Sequence, residues 1–382
     1  MNIVVLGAGL MGKEAVRDLI QNERVSTVYL ADLHTEEAEQ FVATLKTDRV
    51  LIKQVDAQDE QALTSLIQQG DIVVNALFYT FNETVARIAI AVGTHYVDLG
   101  GHIGGATKKV LAMHEEAVAQ GVTVVPDLGV APGMMNILAG YGAEQLDEIS
   151  SIRIFVGGVP AHPKPPLQYA VVFSLDGVFD HYTEPSTIIR NGRLQTLPSL
   201  SEVEEVRFEQ LGSFEAFHTS GGTSTLPETF AQIDTLEYKT VRYHGHAEKF
   251  QLLIDLGLLN KECMVEIDQQ NIAVRDVMRQ HFSDLLALGD EEDLVLLKVL
   301  VSGQKNERTQ TYTYECIAKK DVERQITAMA RVTASTISIV AQMIGEGAIQ
   351  KKGAWPPEKI VPGKAYIEAL RNRDLHVIEQ QM

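Results

Sequence analysis

The chain begins with an apolar run, from Asn2 to Leu6, that leads directly into the glycine-rich stretch Gly7-Ala8-Gly9-Leu10-Met11-Gly12. The residues that follow, Lys13 to Ile20, have the apolar spacing of an amphipathic helix. A strand, a G-x-G-x-x-G turn and a helix in this order are typical of the first βαβ unit of a doubly wound parallel sheet. The sequence therefore predicts that the chain opens with a Rossmann fold.

Each glycine of the predicted turn has a structural role. Gly7 permits the tight turn, Gly9 lets the backbone approach a pyrophosphate, and Gly12 lets helix and strand pack closely. The start of the helix, at Leu10 and Met11, supplies N–H groups and the positive end of the helix dipole. We therefore predict that these five residues bind a dinucleotide cofactor.

An acidic residue completes the pattern. Val25 to Ala31 predicts the second strand, and Asp32 follows it directly. A carboxylate about 20 residues after the glycines accepts the ribose hydroxyls of the adenosine half and repels a 2′-phosphate. Leu33, rather than Arg or Lys, comes next. The pattern favours NAD over NADP, with Asp32 as the ribose ligand; the alternative is a βαβ unit that binds no nucleotide.

Composition excludes several other classes of protein. At 382 residues the chain is long enough for two or three domains, and it has no apolar run of about 18 residues that would predict a membrane span. The formal net charge of −18, from 33 basic and 51 acidic residues, argues against nucleic acid as the main partner. Cys263 and Cys316, the only cysteines, form no metal-binding pattern. We expect a cytoplasmic protein with no signal peptide and no bound metal.

The spacing of apolar residues predicts two kinds of sheet. Short strands and helices alternate up to residue 125, which predicts a parallel sheet, whereas long alternating strands from residue 152 predict an α+β domain with a mostly antiparallel, open sheet. Met329 to Ile344 predicts a helix that returns to the first domain. We therefore expect a Rossmann domain over 1–135, a substrate domain over 136–325, and the returning helix with a tail over 326–382. The pattern also predicts one helix over 107–120 and a strand over 169–174.

Candidate catalytic residues follow the predicted strands, because a doubly wound sheet binds ligands beyond the carboxyl ends of its strands. Asn75 and Leu77 follow strand four, where Asn75 can hold the cofactor ribose or carboxamide; the alternative for Asn75 is a plain helix cap. Asp98 ends strand five, His102 lies on the same loop, and Asp127 follows strand six. Carboxylates and imidazoles remove protons from substrates, so these three are the candidate catalytic residues. A lone histidine such as His102 is more often a surface or packed residue.

Two further candidates lie in the second predicted domain. The stretch over 218–224 is rich in hydroxyls and glycines, so Thr219 and Ser220 can help to bind a carboxylate through this loop; the alternative is an ordinary surface turn. Arg242 can clamp an α-carboxylate through two hydrogen bonds. The alternative for Arg242 is an outward, solvated side chain.

Several motifs together resemble the saccharopine dehydrogenase family, along most of the chain from Gly7 to about Gly345. The stretch from Glu215 to Thr229 is similar to the lysine-deaminating branch of that family. The other specific motifs are Asp127-Leu-Gly-Val-Ala-Pro-Gly133, Gly157-Gly-Val-Pro160, Pro166-Leu-Gln-Tyr169 with Phe173-Ser174, and Arg242-Tyr-His-Gly-His246.

The resemblance implies a small-molecule substrate and a reaction. Asp127 and Arg242 match positions that contact an amino acid substrate, and Tyr169, at the end of a quoted motif, is a further candidate substrate-binding residue. The second domain closes the cleft and pairs subunits into a homodimer or higher homo-oligomer. The implied reaction is NAD-dependent oxidation of the ε-amine of L-lysine to 2-aminoadipate 6-semialdehyde, with release of ammonia. Arg242 and the 218–224 loop would then anchor the α-end of lysine, with the ε-end near Asp98, His102 and Asp127.

Two other functions fit the same residues. A saccharopine reductase or a carboxynorspermidine dehydrogenase would act on a secondary amine and would need to bind a second carboxylate. A non-catalytic NAD-binding regulator would keep Gly7, Gly9, Gly12 and Asp32 but would need no polar loops at the strand ends.

Overall fold

The computed structural model describes residues 1–101, 105–172 and 174–382. In it the chain divides into two units. The first combines Met1–Tyr141 with Ala330–His376, and the second combines Gly142–Met329 with Val377–Met382. The domain boundaries at 135 and 325 stay sequence-based predictions.

Strands occur in both units. Their bounds are β1 Asn2–Leu6, β2 Thr27–Asp32, β3 Val50–Gln54, β4 Ile72–Asn75, β5 His95–Asp98, β6 Thr123–Val125, β7 Glu148–Pro160, β8 Ser186–Arg190, β9 Arg193–Leu197, β10 Glu204–Phe208, β11 Gly212–His218, β12 Thr235–Arg242, β13 Met264–Ile267, β14 Gln270–Ala273, β15 Asp293–Lys305, β16 Arg308–Lys319, β17 Gly353–Ala354 and β18 Val377–Gln381.

Helices connect the strands, with a short 3₁₀ turn at Tyr79–Phe81. Their bounds are α1 Leu10–Leu19, α2 Glu36–Leu45, α3 Glu60–Ile67, α4 Asn82–Val92, α5 Ala106–Ala112, α6 His114–Ala119, α7 Met134–Glu144, α8 Leu175–Thr183, α9 Leu226–Thr229, α10 His246–Asp255, α11 Val274–Leu285, α12 Ala328–Gly345, α13 Pro357–Ile360 and α14 Gly363–Arg371.

The first unit contains a doubly wound parallel sheet. Across the described ranges its strand order is β17-β6-β5-β4-β1-β2-β3, and every neighbouring pair is parallel. Ile3, Val4 and Val5 of β1 are fully buried, as expected for a central strand covered by helices on both faces. The order reverses between β1 and β4, which is where such sheets bind ligands. The predicted Rossmann fold is confirmed.

The second unit contains a mostly antiparallel sheet. Its order within the described residues is β10-β11-β12-β7-β15-β16-β18, with β8 and β9 attached at β12, and only the β12–β7 pairing among these is parallel. Phe217 on β11 belongs to a core with Phe179 and Tyr182 of α8 and Phe250 of α10. The face of β11 that carries Phe217 therefore buries against helices. The predicted α+β architecture is also confirmed.

Two predicted elements are wrong. Residues 169–172 form no strand: Val171 makes a single isolated bridge with Ala287, and Ser174 is the N-cap of α8, where its Oγ accepts the Gly177 N–H at 3.4 Å. Phe173, the remaining residue of the predicted strand, lies outside the described residues. A short buried apolar run has the same pattern in a strand and in an irregular core segment. The helix predicted over 107–120 is divided at Met113, whose φ of −80° and ψ of 17° separate α5 from α6.

Candidate functional site

Close packing requires glycine at two positions of the first turn. Gly7 has a φ of +94°, and a Cβ on it would lie 2.9 Å from the carbonyl oxygen of Ala76. A Cβ on Gly12 would lie 1.9 Å from the carbonyl oxygen of Gly7. Helix α1 can approach β1 this closely only because Gly12 has no side chain.

Gly9 differs from Gly7 and Gly12, because no neighbouring protein atom would clash with a side chain at this position. Its φ of −70° is one that other residues adopt, and a Cβ on it would meet nothing within 4 Å. Gly9 is the N-cap of α1, and Leu10 beside it is 49% exposed, so open space adjoins the first N–H groups of the helix. Bare backbone at a helix N-terminus is the environment that a pyrophosphate requires. The residues present therefore fit a dinucleotide.

Asp32, at the end of β2, lies beside this turn. Its Oδ2 accepts a hydrogen bond from the Ala8 N–H at 2.7 Å, and its Oδ1 accepts one from the His34 N–H at 3.0 Å. These bonds fix the carboxylate, and each oxygen keeps a lone pair that can accept a ribose hydroxyl. Leu33 is 48% exposed and supplies no positive charge for a 2′-phosphate.

Asn75, at the end of β4, is fully buried and shapes the next turn. Its Nδ2 donates to Asn82 Oδ1 at 2.9 Å and to Tyr96 Oη at 3.2 Å, and its Oδ1 accepts the N–H of the half-buried Leu77 at 3.2 Å. Both amide hydrogens are therefore bound within the protein. The predicted contact of Asn75 with a cofactor could use only the remaining lone pair of Oδ1.

Two fully buried carboxylates meet beyond the carboxyl ends of β5 and β6. The Oδ1 atom of Asp98 accepts the N–H of Gly100 at 2.6 Å and the N–H of Asp127 at 3.0 Å, and its backbone carbonyl accepts the Leu128 N–H at 2.8 Å. Asp127 has a φ of +65°, and its Oδ1 accepts the hydroxyl of Thr107 at 2.7 Å. The two loops are thus held together by the two acids predicted to be catalytic.

The proximity of the two acids changes the chemistry of Asp98. Burial, and next the negative charge of Asp127, raise the pKa of Asp98 from 3.8 to about 7. The Oδ2 atom of Asp98 is buried and has no hydrogen-bond partner among the described residues. A carboxyl group that titrates near neutral pH at this edge of the sheet is suited to proton transfer. His102, the third predicted catalytic residue, lies outside the described residues.

Arg242, on β12 of the second unit, is only 4% exposed although its guanidinium is permanently charged. Its Nε donates to Tyr182 Oη at 3.0 Å, its Nη1 donates to the Val241 carbonyl at 2.9 Å, and its guanidinium lies 4.9 Å above the ring centre of Tyr169. Within the described part of the chain, no carboxylate forms an ion pair with it. The alternative of an outward, solvated arginine is excluded, and a buried cation without a counter-ion favours an anionic ligand.

Two residues near Arg242, Tyr182 and His246, were not predicted as site residues. Tyr182, on α8, accepts the hydrogen bond from Arg242, and its hydroxyl lies 2.9 Å from Nε2 of the buried His246. His246 lies within a motif that the sequence analysis quoted, but Tyr182 is distant in sequence and carries no local signal. Burial, and next the charge of Arg242, lower the pKa of His246 well below its ordinary value, so this histidine is neutral.

Thr219 and Ser220 are buried, at 2% and 7% exposure, so the alternative of an ordinary surface turn is excluded for them. The Thr219 hydroxyl pairs with the Thr240 hydroxyl at 2.7 Å. The Ser220 N–H donates to the His181 carbonyl at 3.1 Å, and the Ser220 hydroxyl donates to the Asp180 carbonyl at 3.4 Å. These groups bind other parts of the protein, and their binding to a substrate carboxylate stays a prediction.

Glu215, another residue that the sequence analysis did not select, fixes the start of α10. Its two carboxylate oxygens accept the N–H groups of Gly245 and Ala247, each at 2.7 Å. A carboxylate at a helix N-terminus satisfies N–H groups that have no partner within the helix. Because His246 lies between these two residues, Glu215 also fixes the backbone that carries His246.

Over residues 1–101, 105–172 and 174–382, no three or more His, Cys, Asp and Glu side chains are grouped so as to hold a metal ion. In those ranges, too, every helix is too short or too polar to cross a bilayer.

Comparison with known proteins places the chain in a family. Residues 129–375 match the family model described as "Saccharopine dehydrogenase C-terminal domain". Residues 3–125 match the model described as "Saccharopine dehydrogenase NADP binding domain". The chain belongs to the saccharopine dehydrogenase family. The resemblance that the motifs indicated is therefore confirmed at the level of the family.

Curated relatives of the saccharopine dehydrogenase family are distant and longer. The saccharopine dehydrogenase (NADP(+), L-glutamate-forming) of Saccharomyces cerevisiae is 24% identical over 294 residues, which cover 73% of this chain and 63% of that enzyme. The mitochondrial alpha-aminoadipic semialdehyde synthase of Bos taurus is 26% identical over 273 residues, which cover 68% of this chain and 28% of that protein. The chain thus spans less than two thirds of the length of either relative.

Solved structures support the fold. Apo saccharopine dehydrogenase (L-Glu forming) from Saccharomyces cerevisiae has a TM-score of 0.83 at 18% identity, covering 100% of this chain and 99% of that one. Homospermidine synthase from Legionella pneumophila, solved in complex with NAD, has a TM-score of 0.70 at 14% identity, covering 100% of this chain and 91% of that one.

Proposed function

We propose that the protein is an NAD-dependent lysine 6-dehydrogenase. In the proposed reaction, L-lysine, NAD⁺ and water give 2-aminoadipate 6-semialdehyde, NADH, ammonium and one proton. The aldehyde then cyclises with its own α-amine to Δ1-piperideine-6-carboxylate. The bound nicotinamide supplies the hydride acceptor for this oxidation, and the protein supplies orientation, desolvation and proton transfer.

The observation that carries the proposal is the pair of buried carboxylates, Asp98 and Asp127, at the ligand-binding edge of the Rossmann sheet. An ε-ammonium group has an ordinary pKa of about 10.4, yet it must lose a proton before the adjacent carbon can give up hydride. The two acids attract the ammonium form, and Asp98, with its pKa raised to about 7, can accept a proton near neutral pH. We assign proton transfer to this pair.

Arg242 is the proposed ligand of the α-carboxylate. Support comes from its burial and from the absence, among the described residues, of a carboxylate that neutralises its charge. An α-carboxylate would supply that charge and accept two parallel hydrogen bonds. Thr219, Ser220 and Tyr169 stay proposed neighbours of this end of the substrate.

Preference for NAD is part of the proposal, with Gly7, Gly9, Leu10, Met11, Gly12, Asn75 and Leu77 as the other proposed cofactor residues. Asp32 supports NAD, because its fixed negative charge beside the glycine turn repels a 2′-phosphate. The names of the yeast relative and of the matched N-terminal family model both mention NADP, which favours the other cofactor. The cofactor must therefore be tested directly.

A second candidate function has specific support. The yeast relative is named as a saccharopine dehydrogenase that forms L-glutamate. The second candidate is therefore an oxidoreductase of secondary amines. Such a substrate has an additional carboxylate and requires a second cation. A carboxynorspermidine dehydrogenase-like activity belongs to the same class. Ammonia is released only when a primary amine is oxidised, so product analysis separates the two candidates.

The test is NADH formation with lysine, ornithine, saccharopine and alanine, each assayed with NAD and with NADP. We expect reduction of NAD with lysine. Asp127→Asn should lower kcat by about a hundredfold or more, because a positioned acid–base group typically contributes that much. Asp71→Asn is the matched control, since this exposed carboxylate precedes β4 at the opposite edge of the sheet. Tight NAD binding without NADH formation from any of the four would support the non-catalytic regulator instead.

A further inference from the structure

The hydrogen bonds around Arg242 run in a fixed direction. A guanidinium only donates, so the Oη atom of Tyr182 must accept the bond from Nε of Arg242 at 3.0 Å. The single proton of Tyr182 is then free to bond the other neighbour, Nε2 of His246, at 2.9 Å. In the tautomer with its proton on Nδ1, a neutral His246 accepts that proton at Nε2. The chain of donors therefore runs from Arg242 through Tyr182 to His246.

Aromatic packing fixes this chain in place. The Tyr182 ring meets the edge of Phe250 at 5.0 Å and of Phe217 at 5.9 Å, measured between ring centres. The His246 ring stacks on Phe250 at 4.4 Å. Tyr182 and His246 are 2% and 1% exposed, so both are shielded from bulk water.

The bonds also determine which part of Arg242 can meet a ligand. Nε is bound to Tyr182, and Nη1 is bound to the Val241 carbonyl at 2.9 Å. The Tyr169 hydroxyl is a further hydrogen-bonding neighbour of the guanidinium, and the N–H groups that these contacts leave unused can donate to a ligand. The protein thus holds the guanidinium at Nε and Nη1.

We propose that Tyr182 and His246 are positioning residues that orient Arg242 for the carboxylate of the substrate. The inference rests on the proposed function, in which Arg242 binds the α-carboxylate. Tyr182 touches Arg242 and His246 touches Tyr182, so the proposed effect of both on the substrate passes through Arg242. Loss of the Tyr182 hydroxyl leaves Nε unpaired and lets the guanidinium turn, which weakens binding of the carboxylate but leaves the chemistry at the ε-carbon unchanged.

The test compares two substrates in one variant. Tyr182→Phe keeps the packed ring and removes only the hydroxyl. Cadaverine, 1,5-diaminopentane, presents the same amine as lysine but has no carboxylate, and it is measured as a substrate or as a competitive inhibitor. We expect Tyr182→Phe to raise KM for lysine about tenfold, with kcat within a factor of about two and the cadaverine constant unchanged.

Two matched variants complete the design. Tyr243→Phe is the control, because it removes another tyrosine hydroxyl from the same unit, one that donates to the Pro160 carbonyl at 2.8 Å, and it should leave the lysine KM unchanged. His246→Gln keeps an acceptor for the Tyr182 hydroxyl and should retain more lysine affinity than His246→Leu.

The outcomes distinguish failure of the positioning role from failure of the proposed function. Equal losses for lysine and cadaverine in Tyr182→Phe, or a fall in kcat alone, would overturn the positioning role while leaving the proposed function intact. The same holds if Gln and Leu at position 246 behave alike. Absence of NADH formation from lysine in the unsubstituted protein would instead reject the proposed function on which the inference rests.

Discussion

The Oδ1 atom of Asp98 accepts a hydrogen bond from the backbone N–H of Asp127 at 3.0 Å, and both residues are fully buried. One acid thus fixes the backbone of the other, in a left-handed conformation with φ of +65°. The same proximity raises the pKa of Asp98, because two buried negative charges repel each other. The contact between Asp98 and Asp127 therefore determines both the backbone geometry of the site and the pKa of Asp98.

Asp98→Asn should stabilise the protein at alkaline pH. The folded pKa of Asp98, about 7, lies above the ordinary value of 3.8, so folding favours its protonated form. The contribution of this group to stability is full below pH 4 and is lost as pH rises through 7. Asparagine carries no charge and keeps an acceptor for the Gly100 and Asp127 N–H groups. We expect the free energy of unfolding at pH 8 to rise by about 1–3 kcal/mol, measured by urea denaturation.

The pH dependence of unfolding provides the control for Asp98→Asn. At pH 4 the substituted and unsubstituted proteins should unfold at similar urea concentrations, because Asp98 is protonated in the folded state. An Asp98→Asn protein that is destabilised equally at both pH values would show that Asp98 is charged in the fold and stabilising.

Gly9→Ala should weaken cofactor binding, whereas Gly12→Ala should lower the stability of the fold. Alanine at position 9 meets no protein atom, so we expect unfolding free energy within about 0.5 kcal/mol of the original but at least about tenfold weaker NAD binding, by calorimetry. Alanine at position 12 gains helix propensity of about 1 kcal/mol, yet its Cβ would lie 1.9 Å from the Gly7 carbonyl oxygen, and this overlap dominates. Gly12→Ala should therefore lose stability. Unchanged NAD binding in Gly9→Ala would remove the pyrophosphate from this turn.

Asp32→Asn should reduce the preference for NAD over NADP. The amide keeps an acceptor for the Ala8 N–H but lacks the charge that repels a 2′-phosphate. We expect the ratio of kcat/KM for NAD to that for NADP to fall at least about tenfold, the effect of about 1.4 kcal/mol. Asp56→Asn, an exposed acid after β3, is the control and should leave the ratio unchanged. An unsubstituted enzyme that already prefers NADP would contradict the assigned role of Asp32.

Glu215→Ala should destabilise the second unit, and Glu215→Gln should do so less. The alanine variant leaves the N–H groups of Gly245 and Ala247 without their acceptor, at a cost of about 1–3 kcal/mol. Glutamine keeps one acceptor oxygen. Thermal unfolding of the unsubstituted protein and the two variants at one pH measures the order of their stabilities. Equal stability of all three would mean that solvent satisfies the start of α10.

Local sequence signals predicted the sheet and the strand-end residues of the first unit. The turn from Gly7 to Gly12, and the acids Asp32, Asp98 and Asp127, stand next to strand ends, and a parallel sheet brings strand ends to one edge. Their positions could be predicted because the order of β1 to β6 follows a known topology. The exact partnership of Asp98 with Asp127 could not, because it depends on the backbone conformation of both loops.

The second unit was less predictable. Tyr182 and His246 come from α8 and α10, and the sheet strands that bring these helices together leave no periodic pattern that links them. The buried run over 169–172 resembled a strand because full burial removes the alternation that identifies one. Glu215 looked like an ordinary charged residue of a strand until the start of α10 was placed beside it.

The central claim is that a primary amine is removed from lysine without a second substrate. The direct measurement is the amount of ammonia and of NADH formed from lysine and NAD, with no keto acid present. The account predicts that both appear, in equal amounts, and that both disappear together in Asp127→Asn. NADH formed from saccharopine but not from lysine, with no ammonia released, would contradict it and assign the protein to the secondary-amine oxidoreductases.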